Sequence, residues 1–209
     1  LEKYMKFSFI GAAAALAAVA VLAGCGGKQQ FVVQGAVSNL NNNGLVLLNA
    51  GEQLTVPSGA TSFAFSKQIS YGSDYNITIQ KQPDHMTCSV SAGTGSAGYN
   101  VAIQALVTCS QNTYNLGGQY SGVTPAADGT ARTVTLINGS TGGTAVLSSG
   151  TSATSLTPSG EFLLSSAVPD GQAYGVTVVP PANGLTCTIA NGTGVMHDAN
   201  VSNLVVTCQ

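Results

Sequence analysis

The chain has 209 residues, of which 7% are charged, against roughly a quarter in an average soluble domain. Six basic and eight acidic side chains give a formal charge of −2, and without clustered Lys and Arg the composition excludes an electrostatic nucleic-acid binder. Hydrophobic content of 44% with no tryptophan leaves the core to Val, Leu, Ile and Ala, enough for one or two small domains.

The first predicted element is a targeting segment. "MKFSFIGAAAALAAVAVLAGCGG" begins at Met5, with Lys6 ahead of an apolar run from Phe7 to Gly24; a short positive region followed by an apolar one is an export signal. Leu22-Ala23-Gly24-Cys25 resembles the bacterial lipobox at all four positions. The resemblance implies lipid transfer to the Cys25 thiol, cleavage between Gly24 and Cys25, and acylation of the new amino terminus. Two or three acyl chains hold a protein stably on a membrane where one is marginal. Residues 1–24 then read as a cleaved signal helix and 25–30 as a lipidated tether. Gly26 is not the Asp of an inner-membrane retention signal, so the analogy favours the outer membrane, on its periplasmic or surface face. An uncleaved membrane span is the alternative, since the run is just long enough to cross, but its many Ala and Gly residues make it weakly hydrophobic.

After the tether come short β-rich runs: "FVVQGAV", "GLVLL", "QLTV", "SFAFSKQI", "YNITIQ", "TCSVS" and "VAIQALVTC". Gly, Asn, Ser or Pro separate most of them, and sustained helical periodicity is absent. A matching set follows, including "EFLLSSAV", "YGVTVV", "CTIA" and "VSNLVVTC". "MTCSVSAGTGSAGYNVAIQALVTCS" aligns with "LTCTIANGTGVMHDANVSNLVVTCQ" at a constant offset of 99, which places Cys88 on Cys187, Cys109 on Cys208 and Gly93-Thr94-Gly95 on Gly192-Thr193-Gly194. This is a duplicated domain, with one copy at 31–110 and the second at 111–209. The copies begin at a different offset, "FVVQGAVSNL" against "YNLGGQYSGV", so the second carries about 16 extra residues, placed here as an insertion near 124–142. That stretch includes "TARTVTLIN", which reads as one more strand or, alternatively, as the partner of "GLVLLNAG" with the extra length lying later.

Four cysteines beyond Cys25 allow three pairings. Duplication favours Cys88 with Cys109 and Cys187 with Cys208, and alternation lets both sulfurs of a pair face one interior. No CxxC spacing exists and only two histidines are present, so no metal centre and no cofactor are expected.

Seven or so strands in each copy predict an all-β protein: two tandem Ig-like β-sandwich domains after the signal helix. "SFAFSKQISYGSDYNITIQKQP" resembles the F-x-F…G-x-x-Y-x-V-x-V…P pattern of bacterial Cna-B-like and prealbumin-like surface repeats, and "EFLLSSAVPDGQAYGVTVVPP" shows it more loosely. The resemblance implies that Tyr75 and Tyr174 bury their rings and bond upstream backbone, as in a tyrosine corner. It does not carry over the isopeptide of some such repeats, because Lys67 and Lys81 align with Ser166 and Pro180.

Catalytic signatures are missing. Only Asp84-His85 and His197-Asp198 set a carboxylate beside an imidazole; they do not align between copies and read as solvated turns, and only their clustering in a cleft would revive a hydrolase. No GxSxG or SxxK occurs. "AGTG" and "NGTG" open no helix and lack the phosphate-loop lysine, so they read as hairpin turns. Asn76, Asn138, Asn191 and Asn200 lie in N-x-S/T strings that reflect composition. Tyr99 and Tyr120 are candidate glycan-stacking residues that read better as packing. The expected function is therefore a non-enzymatic, membrane-anchored envelope lipoprotein, with the membrane as its partner through the lipid and a structural, adhesive or binding role; glycan or peptidoglycan binding is the alternative.

Overall fold

Alternating apolar and polar residues give each segment one face to bury, which an extended strand in a two-layer sheet satisfies. In the computed structural model, which describes residues 29–100, 102–150 and 159–209, every regular element is a strand. The first copy holds β1 (Gln30–Ser38), β2 (Leu45–Asn49), β3 (Glu52–Val56), β4 (Ser62–Ser70), β5 (Asp74–Asn76), β6 (Thr78–Lys81), β7 (Met86–Ser91), β8 (Thr94–Ser96) and β9 (Ala105–Gln111). The second holds β10 (Thr113–Tyr114), β11 (Leu116–Ser121), β12 (Thr133–Asn138), β13 (Thr144–Ser148), β14 (Ser159–Leu163), β15 (Val168–Pro169), β16 (Ala173–Val179), β17 (Cys187–Ala190), β18 (Thr193–Val195) and β19 (Val201–Cys208).

One sheet of the first copy is ordered β4–β1–β9–β7; facing it are β3–β2–β6 and the short β5–β8 ladder. In the second copy the order is β14–β11–β19–β17 against β13–β12–β16–β18, with β10 and β15 paired on their own. Val33, Leu45, Leu47 and Val107 lie at the centre of one apolar cluster, and Leu116, Val134, Leu136 and Leu204 at the centre of another. The two clusters share no residue. The protein is thus all-β, two Ig-like sandwiches in tandem. Among the described residues no helix is long and apolar enough to cross a membrane. The signal segment and Cys25 lie outside the described residues.

In each copy the first long strand runs parallel to the last, β1 along β9 and β11 along β19. The last strand is therefore interior to its sheet, flanked on its other edge by the cysteine-bearing strand β7 or β17. Cys88 stands opposite Cys109 and Cys187 opposite Cys208, and both bridges are formed, with Cα separations of 3.9 and 4.1 Å. Each bridge staples two neighbouring strands of one sheet.

Strand pairing corrects the expected insertion near 124–142. Strand β2 pairs with β3 and β6, and β12 pairs in the same way with β13 and β16. "TARTVTLIN" is thus the counterpart of "GLVLLNAG" and no additional strand. Five of the extra residues fall in 122–132 against 39–44 and three in 139–143 against 50–51; the remainder follow β13 in the sequence. A sandwich accepts longer connections at its ends because they do not disturb the ladders.

Two buried asparagines confirm this equivalence physically. Asn49, at the end of β2, accepts a hydrogen bond from the Asn76 amide at 3.0 Å; Asn138, at the end of β12, accepts one from the Gly175 amide at 3.0 Å. Asn76 and Gly175 are 99 residues apart, the repeat offset. Asn138 also donates to Thr141 Oγ1 at 2.7 Å, so this N-x-S asparagine serves the turn between β12 and β13.

The connection 124–132 is tied down by the single arginine. Arg132 Nε donates to the Thr124 carbonyl at 2.7 Å, and its terminal nitrogens reach Thr124 Oγ1, the Pro125 carbonyl and the Asn183 carbonyl. Asp128 caps the Thr130 amide and hydroxyl in the same loop, and the Thr130 hydroxyl and amide hold its carboxyl below the ordinary aspartate value. Arg132→Ala is expected to loosen this loop, so that limited proteolysis cuts within 124–132 several-fold faster while cleavage elsewhere is unchanged. Equal cleavage rates would mean that the fork of hydrogen bonds does not restrain the loop.

Candidate functional site at the domain junction

Polar side chains of both copies converge where the two sandwiches meet. Strand β9 ends at Gln111 and β10 begins at Thr113, so the linker is Asn112 alone. Its amide donates to the His85 carbonyl at 3.0 Å, and its carbonyl accepts from the Asp170 amide at 2.9 Å. Its side chain accepts from Thr87 Oγ1 at 2.8 Å, and Gln111 Nε2 donates to the Asp170 carbonyl at 2.9 Å. One residue is thus held by both domains.

Three turns supply the titratable groups. His85 sits just before β7 with φ of 62°, in the left-handed region that histidine and aspartate tolerate better than most residues. Asp170 and Gly171 form the turn between β15 and β16, and the imidazole lies over Gly171, where a Cβ would come within 3.0 Å of the ring. His197 and Asp198 lie between β18 and β19, Asp198 with φ of 53°. His197-Asp198 is a solvated turn, as the sequence reading had it, but the fold brings it beside His85 and Asp170. His85 Nδ1 lies 3.1 Å from Asp170 Oδ2, His197 Nδ1 lies 2.7 Å from Asp198 Oδ2, and the two imidazole centroids are 6.2 Å apart. Asp84 is not part of the group: its carboxylate faces Gly44. An open groove of about 510 Å³ runs along the junction, with His85, Asn112, His197 and Asp198 in its wall.

Asp170 is the residue that sequence reading missed. Its side chain is fully buried. Burial pushes its carboxyl pKa up, but the Asp198 amide, the His85 imidazole and the Gly171 amide outweigh burial and hold it below the ordinary aspartate value. The Asp198 amide donates to Oδ1 at 3.1 Å. Oδ2 and His85 Nδ1 are both buried, and their approach lacks hydrogen-bond alignment. The sequence signal was faint: a Pro-Asp-Gly turn in one copy where the other reads Ser-Tyr-Gly.

The other candidates are dispersed. Tyr99 was expected to pack but is 91% exposed; beside it Tyr71, which sequence reading did not single out, is 61% exposed. Tyr71 touches Phe31 and lies over Gly98. Tyr120 does pack, against the second core. Of the Gly-Thr-Gly runs, Gly93 and Gly192 lie in turns and the Thr-Gly pairs that follow open β8 and β18. Tyr75 pairs with Gly95 and Tyr174 with Gly194, each ring covering the glycine, so the tyrosines face a downstream slot and not the upstream backbone of a tyrosine corner. The Tyr174 hydroxyl has no hydrogen bond to protein among the described residues. Tyr174→Phe should therefore change stability by less than about 0.5 kcal/mol, while Tyr174→Ala should cost about 3 kcal/mol or more, read by denaturant titration; a large loss in the Phe variant would reinstate a bonded hydroxyl.

No family model matches the sequence, and no curated protein matches it significantly. Among solved structures, the chain is similar to the major pilin protein (T3.2) from Streptococcus pyogenes serotype GAS13637, at 10% identity over 86% of this chain and 96% of the pilin, with a TM-score of 0.28. At that identity and TM-score the likeness carries no argument.

Proposed function

We propose that the chain is a non-enzymatic envelope lipoprotein, anchored through Cys25 and using two stiffly joined sandwiches as a structural or adhesive module. The observation that carries the reading is the one-residue linker, pinned from both sides between two disulfide-bridged domains. Tandem domains move relative to one another unless their connection is restrained, and a restrained pair holds a surface at a set distance from its anchor. Disulfides of this kind persist in oxidising compartments outside the cytosol, in keeping with the export signal. Among the described residues no serine or cysteine is hydrogen-bonded to either imidazole of the junction, so the clustering does not by itself restore the hydrolase.

The test is metabolic labelling with a fatty acid. The native chain should take up label and partition with membranes, and Cys25→Ser should lose both; a Cys25→Ser chain that stays on the membrane would overturn the anchoring. Protease treatment of intact cells, beside a periplasmic control, then assigns the face. A second reading, glycan or peptidoglycan binding, draws on the adjacent exposed Tyr71 and Tyr99, since aromatic faces at a surface suit sugar stacking. Loss of retention on immobilised glycan in Tyr71→Ala and Tyr99→Ala would support it, and absence of retention by the native chain would end it.

A further inference from the structure

We propose that the junction is a binding site for a divalent transition-metal ion of the zinc class, held by Asp170, His197 and Asp198 of the second domain, with His85 of the first as the fourth group. One potential ligand atom from each of Asp170, His197 and Asp198 lies within 4.8 Å of the others. Such proximity among exposed acids alone would carry nothing, but two further observations point to a ligand.

The first is the unsatisfied pair. Asp170 Oδ2 and His85 Nδ1 are buried with no hydrogen-bond partner among the described residues, although they lie only 3.1 Å apart. Buried polar atoms are nearly always paired. Two ligands of one tetrahedral ion with bonds of about 2.0 Å are themselves about 3.3 Å apart, each directed at the ion and not at its neighbour. Their spacing and misalignment are what a shared cation would produce.

The second comes from the duplication. At the repeat offset of 99, Asp170, His197 and Asp198 correspond to Tyr71, Gly98 and Tyr99, and His85 corresponds to Gly184. None of the four groups has a counterpart in the other copy. They occur only on the two surfaces that face each other.

The donor set selects the metal. Imidazole nitrogen with carboxylate oxygen suits zinc and its neighbours, whereas calcium and magnesium take oxygen shells. An ion here would link the domains directly, across the linker that Asn112 already restrains.

The full chain, purified in detergent, would be titrated with zinc against a chromophoric indicator, with calcium as competitor. One equivalent should bind, unaffected by calcium at the same concentration. Asp170→Asn, which keeps Oδ1 as an acceptor for the Asp198 amide, and His197→Ala, on an exposed ring, should each weaken binding at least the roughly 10- to 100-fold seen on loss of an outer-shell partner. Zinc should also slow hydrogen exchange at the Asn112 amide. Lack of saturable binding, displacement by equimolar calcium, or unchanged affinity in His197→Ala would overturn the site. Because His197 is exposed, that variant remains informative if Asp170→Asn fails to fold. A Cys25→Ser chain should bind zinc equally, so the result is independent of the anchoring.

Discussion

Replacing Cys187 and Cys208 together by alanine should destabilise the second domain by about 3 kcal/mol, the loop-entropy value for a bridge spanning 21 positions. For a domain of this size that corresponds to a fall in melting temperature of roughly 12–24 °C. The effect is large because a small domain holds only about 5–15 kcal/mol in total. It should stay within one domain. The two cores share no residue, so the transition of the first domain should hold its midpoint, and the Cys88→Ala, Cys109→Ala pair should show the mirror result. Calorimetry reads both transitions in one scan. A common shift of both would mean that the junction couples the domains into one cooperative unit, and no shift would mean that the reduced second domain stays compact when unfolded.

Gly118→Ala should be at least as damaging, by about 3 kcal/mol or more, because it attacks the pairing that closes the domain. Where β11 runs along β19, Gly118 stands opposite Leu204. A Cβ on Gly118 would fall far inside contact distance of the Leu204 carbonyl oxygen. The obstacle is backbone in a central strand, which cannot swing aside as a side-chain end can. Overpacking a core costs about 1–3 kcal/mol where side chains adjust, and here separating the strands would also break ladder bonds. Gly35 stands in the same relation to Ala105 in the first domain, so Gly35→Ala should do the same there. Gly142→Ala is the control for glycine replacement in general: its surroundings are open, though its positive φ adds modest strain. Denaturant midpoints that fall equally for Gly142→Ala and Gly118→Ala would refute the close-approach argument.

Each of these effects was legible in the sequence to a different degree. The cysteine pairs were fully legible, because duplication at a fixed offset and strand alternation are properties of the string itself. The glycines were visible in "FVVQGAV" and "YNLGGQY", yet nothing local marks them as contact points. Only the parallel meeting of the first long strand with the last creates the carbonyl they must avoid. The extra residues of the second copy could be counted and not placed, since loops carry little periodic signal and ladder partners had to say which strand was which.

The junction marks the sharpest division. Strand content, the two-copy organisation and the bridges follow from residue order, because each depends on nearest-neighbour alternation or on a repeat spacing. The meeting of His85 with Asp170, His197 and Asp198 depends on a linker one residue long and on which ends of two sandwiches it brings face to face. Those side chains come from three turns with no shared period, each with a left-handed residue: His85, Gly171 and Asp198. Tertiary structure decided which of the molecule's few charges would meet, because the turns that converge on the one-residue linker bring His85 to the buried Asp170.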